Sequence, residues 1–306
     1  MEVTYMSIIQ VQNLTKTYKS GKGIFDISFT VDKGEVFGYL GPNGAGKTTT
    51  VEILECLRTP SSGKATVLGC DITNDAGKIK GKIGIMPQEF NTFDRLTARE
   101  NIKLMADLYR NKSFEETIDL VGVNEFENKK FSTLSGGMKT KVGMAMALVS
   151  RGDLLFLDEP TTGLDPQSRR ETWKLIRELN QEGKTIFLTT HYMEEVEELS
   201  DRAAVIIEGE LKAINSITNL IEKYGGGVKL IVGKEEAKKL INDNTDRVFE
   251  TREGELTGIF DSKKKAKKIV GKLFEMDCEF EIKEAGMEEV FLSLVGGRIN
   301  EGGKLL

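Results

Sequence analysis

The sequence predicts an α/β protein, and two segments carry that prediction. The first is the apolar run Val36–Leu40, which leads directly into the glycine-rich loop Gly41–Thr48. The second is the apolar run Leu154–Leu157, which leads into Asp158-Glu159-Pro160. Short apolar runs bounded by turn residues are typical of strands buried on both faces of a parallel sheet. Ligands of open α/β sheets bind at the carboxyl ends of such strands, so we expect a site there.

The glycine-rich loop has the spacing of a phosphate-binding loop, four free positions after a glycine and then Gly-Lys-Thr. Glycines let the backbone turn tightly and aim its N–H groups at a phosphate. Lys47 can reach the β- and γ-phosphates, and the Thr48 hydroxyl can bind Mg²⁺. A plain glycine turn is the alternative, which the full match disfavours. We therefore predict that a nucleoside triphosphate contacts Gly41, Pro42, Asn43, Gly44, Ala45, Gly46, Lys47, Thr48 and Thr49.

Composition limits the protein class. A chain of 306 residues with 30% charged residues suits a soluble protein of two domains. Its formal net charge of −5 does not favour nucleic acid as a partner. No apolar run approaches the ~18 residues that span a bilayer, and the first residues lack signal-peptide zones. The three cysteines show no metal spacing. These features predict a protein of the cytoplasm, or one on the cytoplasmic face of a membrane.

The predicted elements give the chain two domains. Residues 7–32 alternate apolar and polar side chains, which predicts antiparallel strands with one solvent-exposed face. Residues 89–150 are mostly helical in pattern, and strands are expected at 154–157, 185–189 and 203–207, with a helix at 166–181. We place the end of this first domain at residue 222.

The second domain begins after a glycine-rich stretch at 223–227, which we interpret as a flexible joint. Residues 228–297 show the order β-α-β-β-α-β, which predicts a small ferredoxin-like α+β domain, and 298–306 form a tail. The lysine run at 263–268 could suggest a membrane or nucleic-acid surface. Apolar residues at helical spacing through it favour instead a solvated helix face.

Several residues in the first domain are ambiguous when taken alone. Asp158 and Glu159 end a buried strand, so Asp158 can hold Mg²⁺ and Glu159 can polarise an attacking water; a solvated loop is the alternative. Ser135-Gly136-Gly137 at a helix start is either an ordinary N-cap or a second anion site. His191, the only histidine, lies at a strand end on the edge predicted for Asp158.

Taken together, the loop, the acid pair, the Ser-Gly-Gly turn and the histidine resemble an ABC-type ATPase over residues 7–215. The resemblance implies a P-loop NTPase core with an antiparallel β subdomain and a helical subdomain. It also implies ATP and Mg²⁺ as ligands. The roles that it implies are adenine stacking by Tyr18, metal and water sensing by Gln88, metal binding by Thr48, Gln88 and Asp158, catalysis by Glu159, γ-phosphate sensing by His191, and dimer-loop contacts by Asp165.

In this family two subunits pair head to tail, so the resemblance implies that one subunit's loop faces the signature of the other across ATP. The signature corresponds to Leu134, Ser135, Gly136, Gly137 and Met138. Methionine at position 138 departs from the usual glutamine. This signature sequence, together with His191-Tyr-Met-Glu-Glu195, resembles the branch serving ABC-2-type exporters, whose ATPases carry a C-terminal accessory domain.

The resemblance leads us to expect the ATP-hydrolysing subunit of an ABC-2-type membrane exporter. Its partners would be an integral membrane permease and a second ATPase subunit, with no nucleic acid, and it would lie peripherally on the inner face of the cell membrane. The alternative is a soluble ABC-type ATPase acting in translation or DNA maintenance. Against the DNA-maintenance class, Lys47 and Asp158 are only 111 positions apart, which leaves no room for a long coiled coil. A P-loop kinase or GTPase would leave Ser135 and His191 unexplained.

Overall fold

The chain folds into two compact units, Met1–Ile214 and Asn215–Leu306. The computed structural model describes residues 7–88, 92–245, 248–250, 255–260, 263–276 and 278–295. The predicted tail at 298–306 lies outside the described residues, as do parts of the predicted second domain and the first three residues of the predicted helical subdomain.

The first unit alternates strands and helices. Its strands, with the one that leads out of it, are β1 (Ser7–Thr17), β2 (Gly23–Asp32), β3 (Val36–Leu40), β4 (Ser62–Val67), β5 (Cys70–Asp71), β6 (Ile83–Met86), β7 (Leu154–Asp158), β8 (Thr185–Thr190), β9 (Arg202–Ile207) and β10 (Glu210–Ser216). Its helices are α1 (Lys47–Leu54), α2 (Ala76–Lys80), α3 (Ala98–Leu108), α4 (Glu115–Val121), α5 (Gly136–Leu148), α6 (Pro166–Gln181) and α7 (Met193–Leu199).

A four-stranded sheet has the order β2-β1-β4-β5. Strand β1 pairs antiparallel with β2 and with β4. Along β1 the side chains of Ile9 and Val11 are buried while those of Gln10 and Gln12 are exposed. This alternation confirms the predicted antiparallel strands with one solvent-exposed face.

A six-stranded sheet has the order β10-β9-β3-β8-β7-β6, and β9, β3, β8, β7 and β6 run parallel. Every residue of β3, β7 and β8 is buried, as their apolar runs predict. The register pairs Leu40 with Thr190 and Asp158 with Thr189. The carboxyl ends of these three strands therefore lie side by side, and the residues that follow them share one edge of the sheet.

Helices α3, α4 and α5 lie in the range predicted to be helical and pack into one apolar cluster with α6 and the central sheet. The Thr97 hydroxyl accepts from the Glu100 N–H, and the Glu100 carboxylate accepts from the Thr97 N–H, a capping box that fixes the start of α3. Among the described residues, no helix is long and apolar enough to cross a membrane.

The second unit is built around a four-stranded sheet. Its elements are α8 (Ile217–Leu220), a π-helical turn (Ile221–Gly225), β11 (Val228–Val232), α9 (Glu235–Asn242), β12 (Val248–Glu250), β13 (Leu256–Phe260), α10 (Lys263–Glu275), β14 (Phe280–Glu284) and α11 (Met287–Val295). The strand order is β12-β13-β11-β14, with all neighbours antiparallel. On α10, Ala266, Ile269 and Leu273 are buried, while Lys264, Lys265, Lys267 and Lys268 are exposed, in agreement with the predicted solvated face.

The division between the units differs from the predicted one. It falls between Ile214 and Asn215, eight residues before the predicted limit at 222. The physical reason is packing within the second unit. Leu220 is buried, the Ser293 hydroxyl donates to the Tyr224 carbonyl at 2.8 Å, and Gly225 lies against Val290. The stretch predicted as a flexible joint thus begins inside a folded segment of the second unit.

A buried acid at the end of α1 makes stability depend on pH. Burial raises the pKa of the Glu55 carboxyl to about 8, and the charges of Asp158 and Glu52 add to the effect. The folded protein therefore keeps a proton that the unfolded chain, with a pKa near 4.5, releases. Stability from this group is fully present below about pH 4.5 and is lost as the pH rises toward 8.

We predict that Glu55→Gln stabilises the protein at pH 8 by about 2–4 kcal/mol and by about 1 kcal/mol or less at pH 5, because an amide cannot ionise. Urea unfolding of both proteins at the two pH values measures this. Glu182→Gln, at an exposed position, is the control and should leave the pH dependence unchanged. Equal stabilisation at both pH values would refute the assignment of a buried, protonated Glu55.

Candidate nucleotide site

The loop Gly41–Thr48 connects β3 to α1 and has little room for side chains. A Cβ at Gly41 would lie 2.4 Å from the Ile206 carbonyl oxygen, so only glycine fits there. Gly46 is the N-cap of α1 with φ of 107°, a conformation that other residues rarely adopt. The first turn of α1 follows directly, and the N–H groups of a first helical turn suit an anion, so the predicted phosphate contact stays a prediction.

Lys47 is the buried cation of the site, with 5% of its side chain exposed. Its ammonium donates to the carbonyl oxygens of Gly41 at 2.8 Å and Pro42 at 3.3 Å. It also pairs with Glu159 Oε1 at 3.0 Å. These three oxygen atoms use all three donors of the ammonium. Phosphate oxygens that bind Lys47 must therefore displace at least one of them, and the Glu159 carboxylate is the one on a movable side chain.

Three other predicted site residues, Lys47, Gln88 and His191, contact Glu159. Besides the ion pair with Lys47, its Oε2 accepts from Gln88 Nε2 at 3.2 Å and lies 3.0 Å from His191 Nδ1. The Thr162 hydroxyl donates to the same oxygen at 3.0 Å. The Glu159 backbone has φ of 50°, and its N–H donates to the Thr189 carbonyl at 3.1 Å. A left-handed glutamate at a strand end is a strained arrangement of the kind that functional sites retain.

The charge of Glu159 is strongly stabilised in this state. Burial alone would raise the pKa of its carboxyl, but hydrogen bonding by His191 and the charge and hydrogen bond of Lys47 lower the pKa to about 2. A carboxylate with so low a pKa is a weak proton acceptor. The base strength of Glu159 thus depends on whether Lys47 stays beside it.

Asp158 lies next to this cluster and is 4% exposed. The Thr189 hydroxyl donates to Asp158 Oδ1, and Thr48 also hydrogen bonds to the carboxylate. Burial raises the pKa of Asp158 and the neighbouring Glu159 adds to this, against the hydrogen bonds of Thr189 and Thr48 and the charge of Lys47. A second positive charge would stabilise this carboxylate. Thr48, Asp158 and the Gln88 amide supply only oxygen ligands, the type that Mg²⁺ prefers, so the residues present fit that ion.

Tyr18 stands beside the loop on the turn after β1. Its hydroxyl lies 3.3 Å from the Thr49 hydroxyl, which places the ring next to the first turn of α1. The Arg58 guanidinium lies over the ring, 5.4 Å from its centroid. Arg58 therefore covers an aromatic face that could otherwise stack on a planar base, and the predicted adenine contact stays a prediction.

The Ser135 turn faces solvent. Ser135 caps α5 by accepting from the Met138 N–H at 3.3 Å, and both Ser135 and Gly136 are exposed. Leu134 is buried beneath the turn. A Cβ at Gly137 would lie 2.7 Å from the Ser168 hydroxyl. The N-cap interpretation is therefore correct for this subunit, while the exposed backbone leaves room for a ligand.

The predicted dimer loop borders this turn. Asp165 caps α6, accepting from the N–H groups of Gln167 and Ser168 at 3.0 Å. Leu164 lies 3.2 Å from the position of a Cβ on Gly136. The structure therefore brings Ser135, Gly136, Gly137 and Asp165 together.

Two residues of the cluster escaped the sequence analysis. Thr189 binds both Asp158 and the Glu159 N–H, and Thr162 binds the Glu159 carboxylate. Threonines are common in strands and loops, so their type gave no signal. The position of Thr189 gave one: it is the next-to-last residue of β8, two residues before His191 and in register with Asp158.

Comparison with known proteins finds relatives of this chain. Residues 24–162 match the family model described as ABC transporter. The chain is 42% identical over 225 residues to the linearmycin resistance ATP-binding protein of Bacillus subtilis, covering 72% of both chains. It is 32% identical over 305 residues to the daunorubicin/doxorubicin resistance ATP-binding protein of Streptomyces peucetius, covering 94% of this chain and 92% of the relative. It is 37% identical over 302 residues to the Nod factor export ATP-binding protein I of Rhizobium meliloti, covering 96% and 89%.

Solved structures resemble the first unit. A cassette from Clostridium perfringens, part of an ABC transporter complex, has a TM-score of 0.64 at 28% identity and covers 71% of this chain and 91% of its own. A dimeric ATP-binding cassette in a post-hydrolysis state with ADP and Pi has a TM-score of 0.61 at 28% identity, covering 68% and 98%. The predicted ABC ATPase core and the predicted activity are confirmed: this chain belongs to the ABC transporter ATP-binding family and is an ATPase.

Proposed function

We propose that this ATPase powers an ABC-2-type membrane exporter through ATP-driven pairing of two subunits. One observation carries the proposal. The similarity to proteins named for antibiotic resistance and Nod factor export extends over 94% and 96% of this chain. It therefore includes the second unit as well as the nucleotide site. The soluble alternative, an ATPase of translation or DNA maintenance, gains no support from these relatives.

Pairing is proposed because the subunit offers two sets of groups that can bind a triphosphate. Lys47, Thr48 and Asp158 can hold one side of it. The Ser135 hydroxyl and the Gly136 and Gly137 backbone lie at an exposed turn beside Asp165. In a head-to-tail dimer, the turn of each subunit would close over the ATP held by the other. A similar cassette is known as a dimer with ADP and Pi bound.

Hydrolysis in this proposal depends on release of Glu159. Phosphate oxygens that take the Lys47 ammonium would remove its charge and hydrogen bond from the carboxylate, and the pKa of Glu159 would rise from about 2. The carboxylate would then be free to accept a proton from an attacking water, held by Gln88 and His191 in its orientation. Mg²⁺ on Thr48, Asp158 and Gln88 would neutralise charge on the β- and γ-phosphates.

Hydrolysis would also end the pairing. A γ-phosphate held by Lys47 of one subunit and Ser135 of the other joins the two halves, and its cleavage removes that shared anion. The difference in affinity of the closed dimer for ATP and ADP is then the source of mechanical work.

The second unit is proposed to be a ferredoxin-like accessory domain. Its β-α-β-β-α-β order and the strand order β12-β13-β11-β14 support this class. The permease would be a separate integral membrane protein that docks near Gln88 and the Thr97–Tyr109 region, holding the ATPase at the inner face of the cell membrane. Purification of the tagged chain from solubilised membranes, with identification of bound integral proteins, tests this. Recovery of ribosomes or DNA-repair proteins in place of a permease would contradict it.

We predict that Glu159→Gln lowers ATP turnover by at least ~10²-fold and leaves an ATP-bound dimer. The amide keeps the shape of the side chain but cannot accept a proton. Light scattering with saturating Mg-ATP should show twice the subunit mass, and the same protein with ADP should be monomeric. Only monomers with ATP would count against the paired mechanism.

We predict that Ser135→Arg lowers turnover by a similar factor while ATP binding to the isolated subunit changes less than about threefold. Ser135 lies on the surface that faces the partner, and Lys47 and Asp158 are untouched. The substitution also removes the cap of α5, worth about 1 kcal/mol, so a melting curve accompanies the assay. Ser132→Arg, at a nearby exposed position, is the control and should keep its turnover. An equal loss of ATP binding and turnover would place Ser135 in its own subunit's site instead.

A further inference from the structure

A buried acid outside the nucleotide site joins three segments of the first unit. Glu195 lies in the first turns of α7, four residues after His191, and its side chain has no exposed surface. Its Oε1 accepts from the Thr161 hydroxyl at 2.7 Å and from the Trp173 indole N–H at 2.9 Å. Thr161 belongs to the loop between Glu159 and Asp165, and Trp173 belongs to α6. One carboxylate thus links the dimer loop, α6 and the helix that follows the histidine.

The other oxygen of Glu195 has a complementary neighbour. Within the described part of the chain, Glu195 Oε2 and Arg169 Nε are both buried and form no hydrogen bond. The charge of Arg169 nevertheless acts on the Glu195 carboxyl. Arg169 lies on α6, one turn after Asp165, and its guanidinium lies over the Tyr192 ring at 4.7 Å. The Tyr192 ring in turn contacts His191, with 4.1 Å between ring centroids.

Burying this acid opposes folding. Burial raises the pKa of Glu195 above its ordinary value, and hydrogen bonds from Thr161 and Trp173 and the charge of Arg169 offset only part of that rise. An apolar side chain of similar size would avoid that desolvation cost, as buried ion pairs replaced by hydrophobic groups show. The contacts also converge on the two loops that flank Glu159. The arrangement therefore points to a role in positioning rather than in stability.

We propose that Glu195 is a positioning residue for ATP hydrolysis: as a carboxylate with Arg169 as counter-charge, it holds the Thr161–Asp165 loop against the turn that carries His191. This inference rests on the proposed pairing of two subunits. Contact of the partner with the dimer loop would shift Thr161, and Glu195 and Tyr192 would pass the shift to His191. Because His191 Nδ1 lies 3.0 Å from Glu159 Oε2, a small displacement changes the hydrogen bonds of the catalytic carboxylate.

Glu195→Gln tests the charge with little change of shape. The amide oxygen can still accept from Thr161 and Trp173, while the NH₂ group replaces Oε2 and no longer attracts Arg169. We expect kcat to fall about tenfold with KM for ATP within about twofold, and melting temperature nearly unchanged. Arg169→Gln should likewise lower kcat and leave KM for ATP and the melting temperature nearly unchanged. The double variant should be no slower than the worse single one, since the two groups act as a pair.

Trp173 gives a second readout that does not need turnover. It is the only tryptophan in the chain, and its N–H donates to Glu195. Its fluorescence should change when Mg-ATP closes the wild-type dimer. In Glu195→Gln the change should be lost, although labelled ATP still binds. Glu194→Gln is the matched control: its exposed carboxylate is 4.0 Å from Arg169, and we expect wild-type kcat and fluorescence.

Each result bears on the proposal. Wild-type kcat in Glu195→Gln, additive losses in the double variant, or an unchanged Trp173 response would overturn it. A fall in kcat that follows a lowered melting temperature would show a structural role only, and would also overturn it. If Glu195→Gln fails to fold, Arg169→Gln decides by the same criteria. Absence of an ATP-induced dimer in Glu159→Gln would instead reject the pairing on which the inference rests.

Discussion

The structure depends on the parallel register of β3, β7 and β8. These strands end at the same level of the sheet, at Leu40, Asp158 and Thr190. The segments that follow them, Gly41–Thr48, Glu159 and His191, are therefore adjacent although they are far apart in the chain. A slip of one residue in β7 would move every side chain to the other face of the sheet and separate Asp158 from Thr189. Because both faces of these strands are buried, the side chains would then not fit the packing around them, which disfavours the slip.

That register creates a buried ion pair, Lys47 with Glu159, whose partners are both about 5% exposed. A buried pair is weak evidence for stability, since desolvation of two charges offsets their attraction. Its value here is chemical. The pair keeps Glu159 ionised but weakly basic, and it keeps Lys47 desolvated in the position where phosphate is expected. In the proposed mechanism, nucleotide and the Glu159 carboxylate would compete for the Lys47 ammonium, which would make the start of catalysis depend on occupancy of the site.

The sequence predicted most of the fold, for reasons that the structure explains. Buried strands such as β3 and β7 are short apolar runs, and the α6 boundaries follow from Asp165 as cap and Pro166 in the first turn. The division between the units was missed because Gly225–Gly227 resembles a joint, whereas packing of Leu220 and Tyr224 on α11 decides it. Thr162 and Glu195 were missed because hydrogen bonds between distant segments leave no spacing in the chain. Motif residues can be found from sequence, and the residues that orient them largely cannot.

The arrangement also explains why an intact subunit would be inactive alone. In this state, the oxygens around Lys47 come from its own loop and from Glu159. The Ser135 hydroxyl caps α5. The Lys47 site and the Ser135 turn thus both form their hydrogen bonds within one subunit, and the buried charges are paired. ATP would have to displace the contacts of Lys47, and a second subunit would have to approach Ser135. Because the Thr161–Asp165 loop lies against the Ser135 turn and is bonded to the helix after His191, the approach of the proposed partner would reach Glu159 through contacts already present in the fold.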